Sequence, residues 1–101
     1  MSNVKQALRK ALELGLESSD YIEIRSEEGV EYRGKDITKA LDAIMNLENC
    51  GVNFVENDGY YVGWMGVQPY EDAPEDAIYD YDDNNVMNGL METLRQAGVL
   101  K

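Results

Sequence analysis

The chain contains no histidine and only one cysteine, Cys50. Without histidine it lacks the side chain that most often serves as a general base or a metal ligand near neutral pH. A single cysteine excludes an internal disulfide framework and a cysteine-rich metal site, and it makes a cytosolic location the simplest expectation. Phosphate-binding loops, dinucleotide fingerprints and nucleophile elbows do not occur either. We therefore expect a protein that is not an enzyme and has no cofactor.

Long hydrophobic runs are missing too, since the chain has no stretch of 18 apolar residues. The first ten residues are amphipathic and too polar for a signal peptide. The sequence therefore predicts no contact with a membrane. Because 44% of its 101 residues are apolar, we expect one modest core and a single domain over residues 1–101.

Positive charge is absent from most of the chain, because no lysine or arginine lies between Lys39 and Arg95. These 55 positions carry twelve carboxylates, whereas the first 39 residues are nearly balanced, with eight acids and seven bases. The net charge of −11 thus comes almost wholly from one continuous part of the chain. Such a field repels phosphates, so nucleic acid and anionic lipids are excluded as direct ligands, and it attracts basic surfaces.

Periodic patterns predict the elements of the first half. Residues 3–15 carry apolar side chains at helical spacing, with Gly15 as the expected stop. Residues 21–25 and 30–33 alternate apolar and charged side chains and predict a hairpin, with Glu23 and Arg25 on its outer side. A second helix should begin after an Asp36 cap.

This second helix is expected to stop at Gly51, just after Cys50. Glu48 and Asn49 beside Cys50 do not favour a thiolate, so the cysteine is interpreted as structural.

A second hairpin is predicted from residues 52–56 and 60–67, joined by Asn-Asp-Gly. Its return strand has apolar residues on both faces, with Trp64 on one face and Tyr61 and Met65 nearer the other after a bulge. Trp64 is either part of the core or an interface anchor, because tryptophan and tyrosine are enriched where binding energy concentrates. Tyr61, Trp64 and Met65 are the candidates for a hydrophobic interface.

The segment Tyr70–Asp83 is the most acidic stretch and is predicted mainly as a loop. Pro74 could start one helical turn, and residues 77–81 could form a short edge strand. A last helix should follow an Asn84 or Asn85 cap. The expected fold is α+β, with helices packed on an antiparallel sheet of two hairpins in the order α-β-β-α-β-β-α.

The sequence gives little support for two chemical functions of the acidic segment, metal binding and glycoside hydrolysis. Asp80, Asp82 and Asn84 match the first ligand positions of a calcium-binding EF-hand loop, but the sixth position is Asn85 and the twelfth is Met91, so we expect no specific metal site. A pair of carboxylates for glycoside hydrolysis would need a deep cleft, which nothing in the sequence indicates.

Two interpretations of the acidic segment remain: a solvated surface that keeps the protein dissolved, or a surface that occupies a cleft lined with lysine and arginine. Natural surfaces usually mix both signs of charge, so the missing cations favour the second interpretation. Tyrosines between the acids would add contact area and could stack on arginine. The predicted binding residues are Tyr70, Glu71, Asp72, Glu75, Asp76, Tyr79, Asp80, Tyr81, Asp82 and Asp83.

In size, charge and the interleaving of acids with aromatic residues, the chain resembles small acidic inhibitor proteins of phages and mobile elements. These include DNA-mimic and anti-CRISPR proteins, and the immunity proteins and antitoxins that block nucleases. The resemblance implies a stoichiometric blocker of a basic nucleic-acid-binding protein or complex, without catalysis or a cofactor. It includes no family motif and so assigns no role to an individual residue. The alternative hypothesis is a structural adaptor that forms a homodimer through the aromatic face around Trp64.

Overall fold

The computed structural model describes residues 3–100, which form four helices and one five-stranded antiparallel sheet. This arrangement confirms the α+β class, but the predicted order lacks one helix and one strand. In chain order the elements are α1 (Val4–Glu17), β1 (Tyr21–Ser26), β2 (Gly29–Gly34), α2 (Ile37–Met45), β3 (Cys50–Val55), β4 (Tyr61–Val67), α3 (Pro74–Ala77), β5 (Ile78–Tyr81) and α4 (Asn85–Gln96).

The strands lie side by side in the order β2-β1-β3-β4-β5. The two predicted hairpins are therefore confirmed, and the antiparallel pairing of β1 with β3 joins them into one sheet. The additional strand β5 pairs with β4 and forms one edge, while β2 forms the other. Because β5 belongs to the acidic segment, the fold places Asp80 on one edge of the sheet and the other acids of the segment on α3 and in the loops that flank α3 and β5.

The core lies between the helices and one face of the sheet. Ile22 and Ile24, which the alternation in β1 places inward, are fully buried there, as are Val52, Phe54 and Met65 from β3 and β4. All four helices contribute buried side chains to this same core, among them Leu8, Leu41, Ala77 and Leu94. We call the opposite face of the sheet the outer face.

The predicted stop of helix α1 at Gly15 is wrong, because the helix continues to Glu17. Gly15 is buried inside the helix, and a Cβ atom there would lie 2.1 Å from Cε1 of Phe54. The missing side chain therefore provides space for an aromatic ring, and this glycine acts through packing rather than as a helix stop. Sequence spacing could not reveal it, because Phe54 lies 39 positions away.

The second helix begins where predicted, with the Asp36 side chain accepting a hydrogen bond from the Lys39 amide at 3.1 Å. The predicted stop at Gly51 is wrong, because α2 ends at Met45 and Cys50 already pairs with Val67 in the sheet. The short apolar alternation from Cys50 onward joins the ladder, so tertiary pairing overrides the helical spacing.

The last helix starts with an Asn84 cap, whose side-chain oxygen accepts a hydrogen bond from the Met87 amide at 2.9 Å. Gly89 in the middle of this helix suggested close packing against another backbone. That expectation is wrong: Gly89 is exposed, and a Cβ atom there would meet no atom within 4 Å.

Replacing Gly89 with alanine is therefore expected to stabilise the fold by about 0.5–1 kcal/mol, since alanine has the higher helix propensity and creates no clash. Urea unfolding monitored by circular dichroism measures this change. A lower unfolding midpoint in the variant would contradict it. Gly98→Ala is the matched control and should destabilise, because Gly98 has a φ of +77°.

Candidate functional site

The acidic segment Tyr70–Asp83 is an ordered part of the fold rather than a loop. It contains the single-turn helix α3, which begins at Pro74, and the edge strand β5. The Gln68 amide, just after β4, donates to the Ala77 carbonyl at 2.7 Å, and the Asp82 amide donates to the Trp64 carbonyl in β4 at 3.1 Å, so β5 is anchored at both of its ends. The helical turn and the edge strand, which were considered as alternatives for this segment, thus both occur, one after the other.

The seven carboxylates of this segment are all exposed. Within residues 3–100, the ion pairs join arginines only to Glu23 and Glu92, so none of the seven has a cation within 4 Å. Asp80 and Asp82, two positions apart on extended backbone, lie about 7 Å from each other along the chain. The exposed carboxylates are Glu71, Asp72, Glu75, Asp76, Asp80, Asp82 and Asp83.

The three tyrosines of the segment use their hydroxyl groups to attach it to the rest of the protein. The Tyr70 hydroxyl donates to the carbonyl of Met45 at the end of α2, and the Tyr79 hydroxyl donates to Asn49 Oδ1 at 3.1 Å. Tyr81 is half-buried, and its hydroxyl accepts a hydrogen bond from Arg95 at 3.4 Å. Tyr70 and Tyr79 remain 65% and 47% exposed, so their rings are still accessible to a partner.

Glu23 was predicted to be exposed, but it is only 2% exposed. It does lie on the outer face, where it is covered by three donors. Arg25 Nε lies 2.6 Å from one carboxylate oxygen, the Tyr61 hydroxyl donates to that same oxygen at 2.7 Å, and Arg33 approaches the other oxygen at 2.7 Å. Arg33 and Glu23 thus form an ion pair across β1 and β2, and the acid of that pair is buried.

The environment of Glu23 strongly favours its charged form. Burial of the carboxylate raises its pKa, but the hydrogen bonds from Arg25, Tyr61 and Arg33 together outweigh burial and lower the pKa to about 2. The two arginines are about half exposed, so their guanidinium groups still face solvent on the outer face. The cluster fixes the relative positions of β1, β2 and β4 on this face.

The three residues predicted to form a hydrophobic interface do not lie together. Met65 is fully buried in the core and cannot contact a partner, so it is removed from the proposed interface. The ladder between β3 and β4 is irregular next to Val62, which places Tyr61 and Trp64 on the same outer face. A bulge was expected here, but its effect on the two aromatic residues could not be read from the sequence.

A cleft of about 610 Å³ lies at one end of the outer face. Trp64 and Tyr79 line it, together with the turn between β1 and β2 and the loop between α2 and β3. Cys50 also lies at this cleft but is only 4% exposed, and burial raises the pKa of its thiol to about 12. Cys50 therefore stays protonated at neutral pH, in agreement with its structural interpretation.

Sequence reasoning did not identify this cleft. The only available signal was Gly66 within β4, because a glycine inside a strand indicates a bulge or a close approach. In the structure Gly66 lies opposite Gly51 in the neighbouring strand.

Residues 3–100 contain no group of three or more histidine, cysteine, aspartate or glutamate side chains that could hold a metal ion. None of the helices in that range has the length and apolar character that crossing a membrane requires. No protein-family model, curated protein or solved structure matches the chain.

Proposed function

We propose that this is a non-catalytic acidic binding protein of the cytoplasm that blocks a basic, nucleic-acid-binding surface on a protein partner. Inhibition would be stoichiometric, and anti-defence, the inhibition of a host nuclease or a related defence system by a phage protein, is the setting that the resemblance to phage inhibitors suggests. The carrying observation is the acidic segment at the β5 edge of the sheet: its seven carboxylates are exposed, and none of them forms an ion pair among the described residues.

The arrangement of these carboxylates supports this proposal in two ways. Duplex DNA carries one negative charge per roughly 1.7 Å of its axis, so a surface that competes with it needs many closely spaced acids. Asp80 and Asp82 lie on backbone that is hydrogen-bonded to β4, and the amides of Glu71 and Asp76 donate to the carbonyls of Gln68 and Ala73. Backbone held in this way loses little conformational entropy when a partner binds it. An unstructured acidic tail would lose more conformational entropy on binding.

Charge reversal on this edge is expected to slow association with the partner by at least about tenfold, because electrostatic attraction mainly accelerates encounter. The test variant is Asp80→Lys/Asp82→Lys/Asp83→Lys. Partners are first captured from host lysate at low salt and identified, and each is then titrated against a labelled duplex or RNA that it binds. Stopped-flow mixing with the purified partner measures the association rate.

The matched control, Glu13→Lys/Glu17→Lys/Asp42→Lys, changes the net charge equally at exposed positions on α1 and α2. It should slow association much less than the edge variant. The proposal fails if the two variants behave alike, or if the captured partner binds its nucleic acid equally well with and without this protein.

The second candidate function is a structural adaptor that associates through the outer face. It is favoured by Tyr61, which is 49% exposed, beside the half-buried Trp64 and the exposed arginines of the Glu23 cluster. Tyrosine, tryptophan and arginine are the residues that most often carry binding energy.

The adaptor hypothesis predicts a concentration-dependent dimer that Trp64→Ala disrupts and that salt affects little. Sedimentation velocity at several protein concentrations measures it. A monomer at all concentrations would exclude this homodimer.

A further inference from the structure

We propose that the cleft beside Trp64 and Tyr79 binds an arginine side chain of the protein partner. This inference rests on the proposed function, because it assumes a basic partner at the adjoining acidic edge. It adds a specific anchor to a surface that would otherwise act through charge alone.

Two glycines leave room for the aromatic walls of the cleft. Gly51 and Gly66 lie opposite each other in β3 and β4. A Cβ atom on Gly51 would lie 2.7 Å from Trp64 Nε1, and one on Gly66 would lie 2.6 Å from Cζ of Tyr79. Both rings therefore lie directly against backbone that has no side chain, at the same level of the sheet.

The hydrogen bond from the Tyr79 hydroxyl to Asn49 Oδ1 holds the Tyr79 ring in place at 3.1 Å. Tyr79 is 47% exposed and Trp64 is partly exposed, so ring surface remains available to a ligand. The cleft thus presents two aromatic rings whose positions are fixed before a ligand arrives, which lowers the entropic cost of binding.

Charges around the cleft select a cation. Glu27 and Glu28 line it from the turn between β1 and β2, and Glu48 lines it from the loop between α2 and β3; all three are exposed. Among residues 3–100, the cation that lines the cleft is Arg25, whose guanidinium is already hydrogen-bonded to the buried Glu23 at 2.6 Å. The lining therefore favours a positive ligand and disfavours an anion.

Arginine fits these groups better than lysine does. Its flat guanidinium stacks on aromatic rings and donates paired hydrogen bonds to a carboxylate, whereas an ammonium group is more strongly hydrated and does neither as well. A volume of about 610 Å³ exceeds that of one side chain, so the flanking backbone of the partner also fits.

The position of the cleft links it to the acidic edge. Tyr79 lines the cleft and Asp80, the next residue, lies on the edge strand, so one basic partner surface can contact both. The acidic edge would accelerate encounter, and the arginine in the cleft would slow dissociation.

The test uses the full chain and three short peptides that alternate glycine with arginine, lysine or citrulline. Because Trp64 is the only tryptophan, its fluorescence and the NMR signal of its indole N–H report on this cleft alone. We expect the arginine peptide to shift the indole signal and to bind about fivefold more tightly than the lysine peptide, as expected from stacking on an aromatic ring. The citrulline peptide should not bind measurably.

Two sets of variants separate the cleft from the edge. Tyr79→Leu should bring the arginine-to-lysine affinity ratio close to one, and Glu28→Gln/Glu48→Gln, at exposed positions, should weaken binding of the arginine peptide without affecting folding. The edge variant Asp80→Lys/Asp82→Lys/Asp83→Lys should lower the affinities of the arginine and lysine peptides by the same factor and leave the ratio of the two affinities unchanged.

Equal affinity for the arginine and lysine peptides would overturn the inference, as would shifts confined to the residues of β5. An indole signal that moves on dilution without peptide would identify the cleft as a contact between two copies and would also overturn it. Failure of this inference is distinguishable from failure of the proposed function. If charge reversal on the edge slows association of the partner but Tyr79→Leu leaves its binding unchanged, only the arginine site is excluded. If the cleft binds arginine but the protein displaces no nucleic acid from its partner, only the blocking function is excluded.

Discussion

Glu23→Gln is expected to lower the free energy of unfolding by about 2–3 kcal/mol at pH 7. The pKa of Glu23 is about 2, compared with an ordinary value of 4.5, and that difference corresponds to about 3 kcal/mol of stabilisation of the charged form. Glutamine keeps the shape of the side chain but loses the charge that Arg25 and Arg33 neutralise. Urea unfolding at pH 7 measures the loss.

The effect of Glu23→Gln should disappear in acid, which gives the prediction a second readout. Because the pKa of Glu23 is depressed in the folded state, its stabilisation is fully present above about pH 4.5 and is lost as the pH falls towards 2. The difference between wild type and variant should therefore shrink over that range. Glu13→Gln, at an exposed position on α1, removes the same charge and should show little difference at any pH.

A difference between wild type and Glu23→Gln that stays constant from pH 7 to pH 2 would contradict the assigned pKa. A loss below about 0.5 kcal/mol at pH 7 would show that the cluster behaves as an ordinary surface ion pair.

Gly15→Ala is expected to destabilise the protein by about 2 kcal/mol, although alanine is the better helix former by roughly 1 kcal/mol. The added methyl group would lie 2.1 Å from Cε1 of Phe54, and both residues are buried in the core. The ring or the helix must move, and either displacement disrupts packing between α1 and the sheet. Chemical denaturation of the variant measures this loss.

Gly89→Ala is the natural comparison, because it makes the same substitution in a helix without a clash and should have the opposite sign. The second test is the double variant Gly15→Ala/Phe54→Leu, in which a smaller side chain provides space for the methyl group. The two substitutions should together cost less than the sum of their separate effects. Strict additivity would mean that the ring is not the cause of the destabilisation.

Much of the candidate site followed from local chemistry. The acidic segment was predicted from the missing cations alone, and its seven carboxylates are indeed exposed, since charged side chains without partners remain in water. Its local structure was predicted less well, because Pro74–Ala77 and Ile78–Tyr81 are too short to form alone. They form in the folded protein, where β5 pairs with β4 and the Gln68 amide donates to the Ala77 carbonyl at the end of α3.

By itself, the sequence determined the α+β class, both hairpins, the cap at Asp36, a cap at Asn84 or Asn85 and the uneven distribution of charge, because each depends on neighbours a few residues apart. The tertiary structure decided what depends on residues far apart in the chain. It buried Glu23 beneath Arg33 and Tyr61, placed Phe54 against Gly15, put Met65 in the core and formed the cleft between Trp64 and Tyr79. The register between strands fixes these contacts, and one bulge beside Val62 is enough to move Tyr61 to the face that carries Trp64.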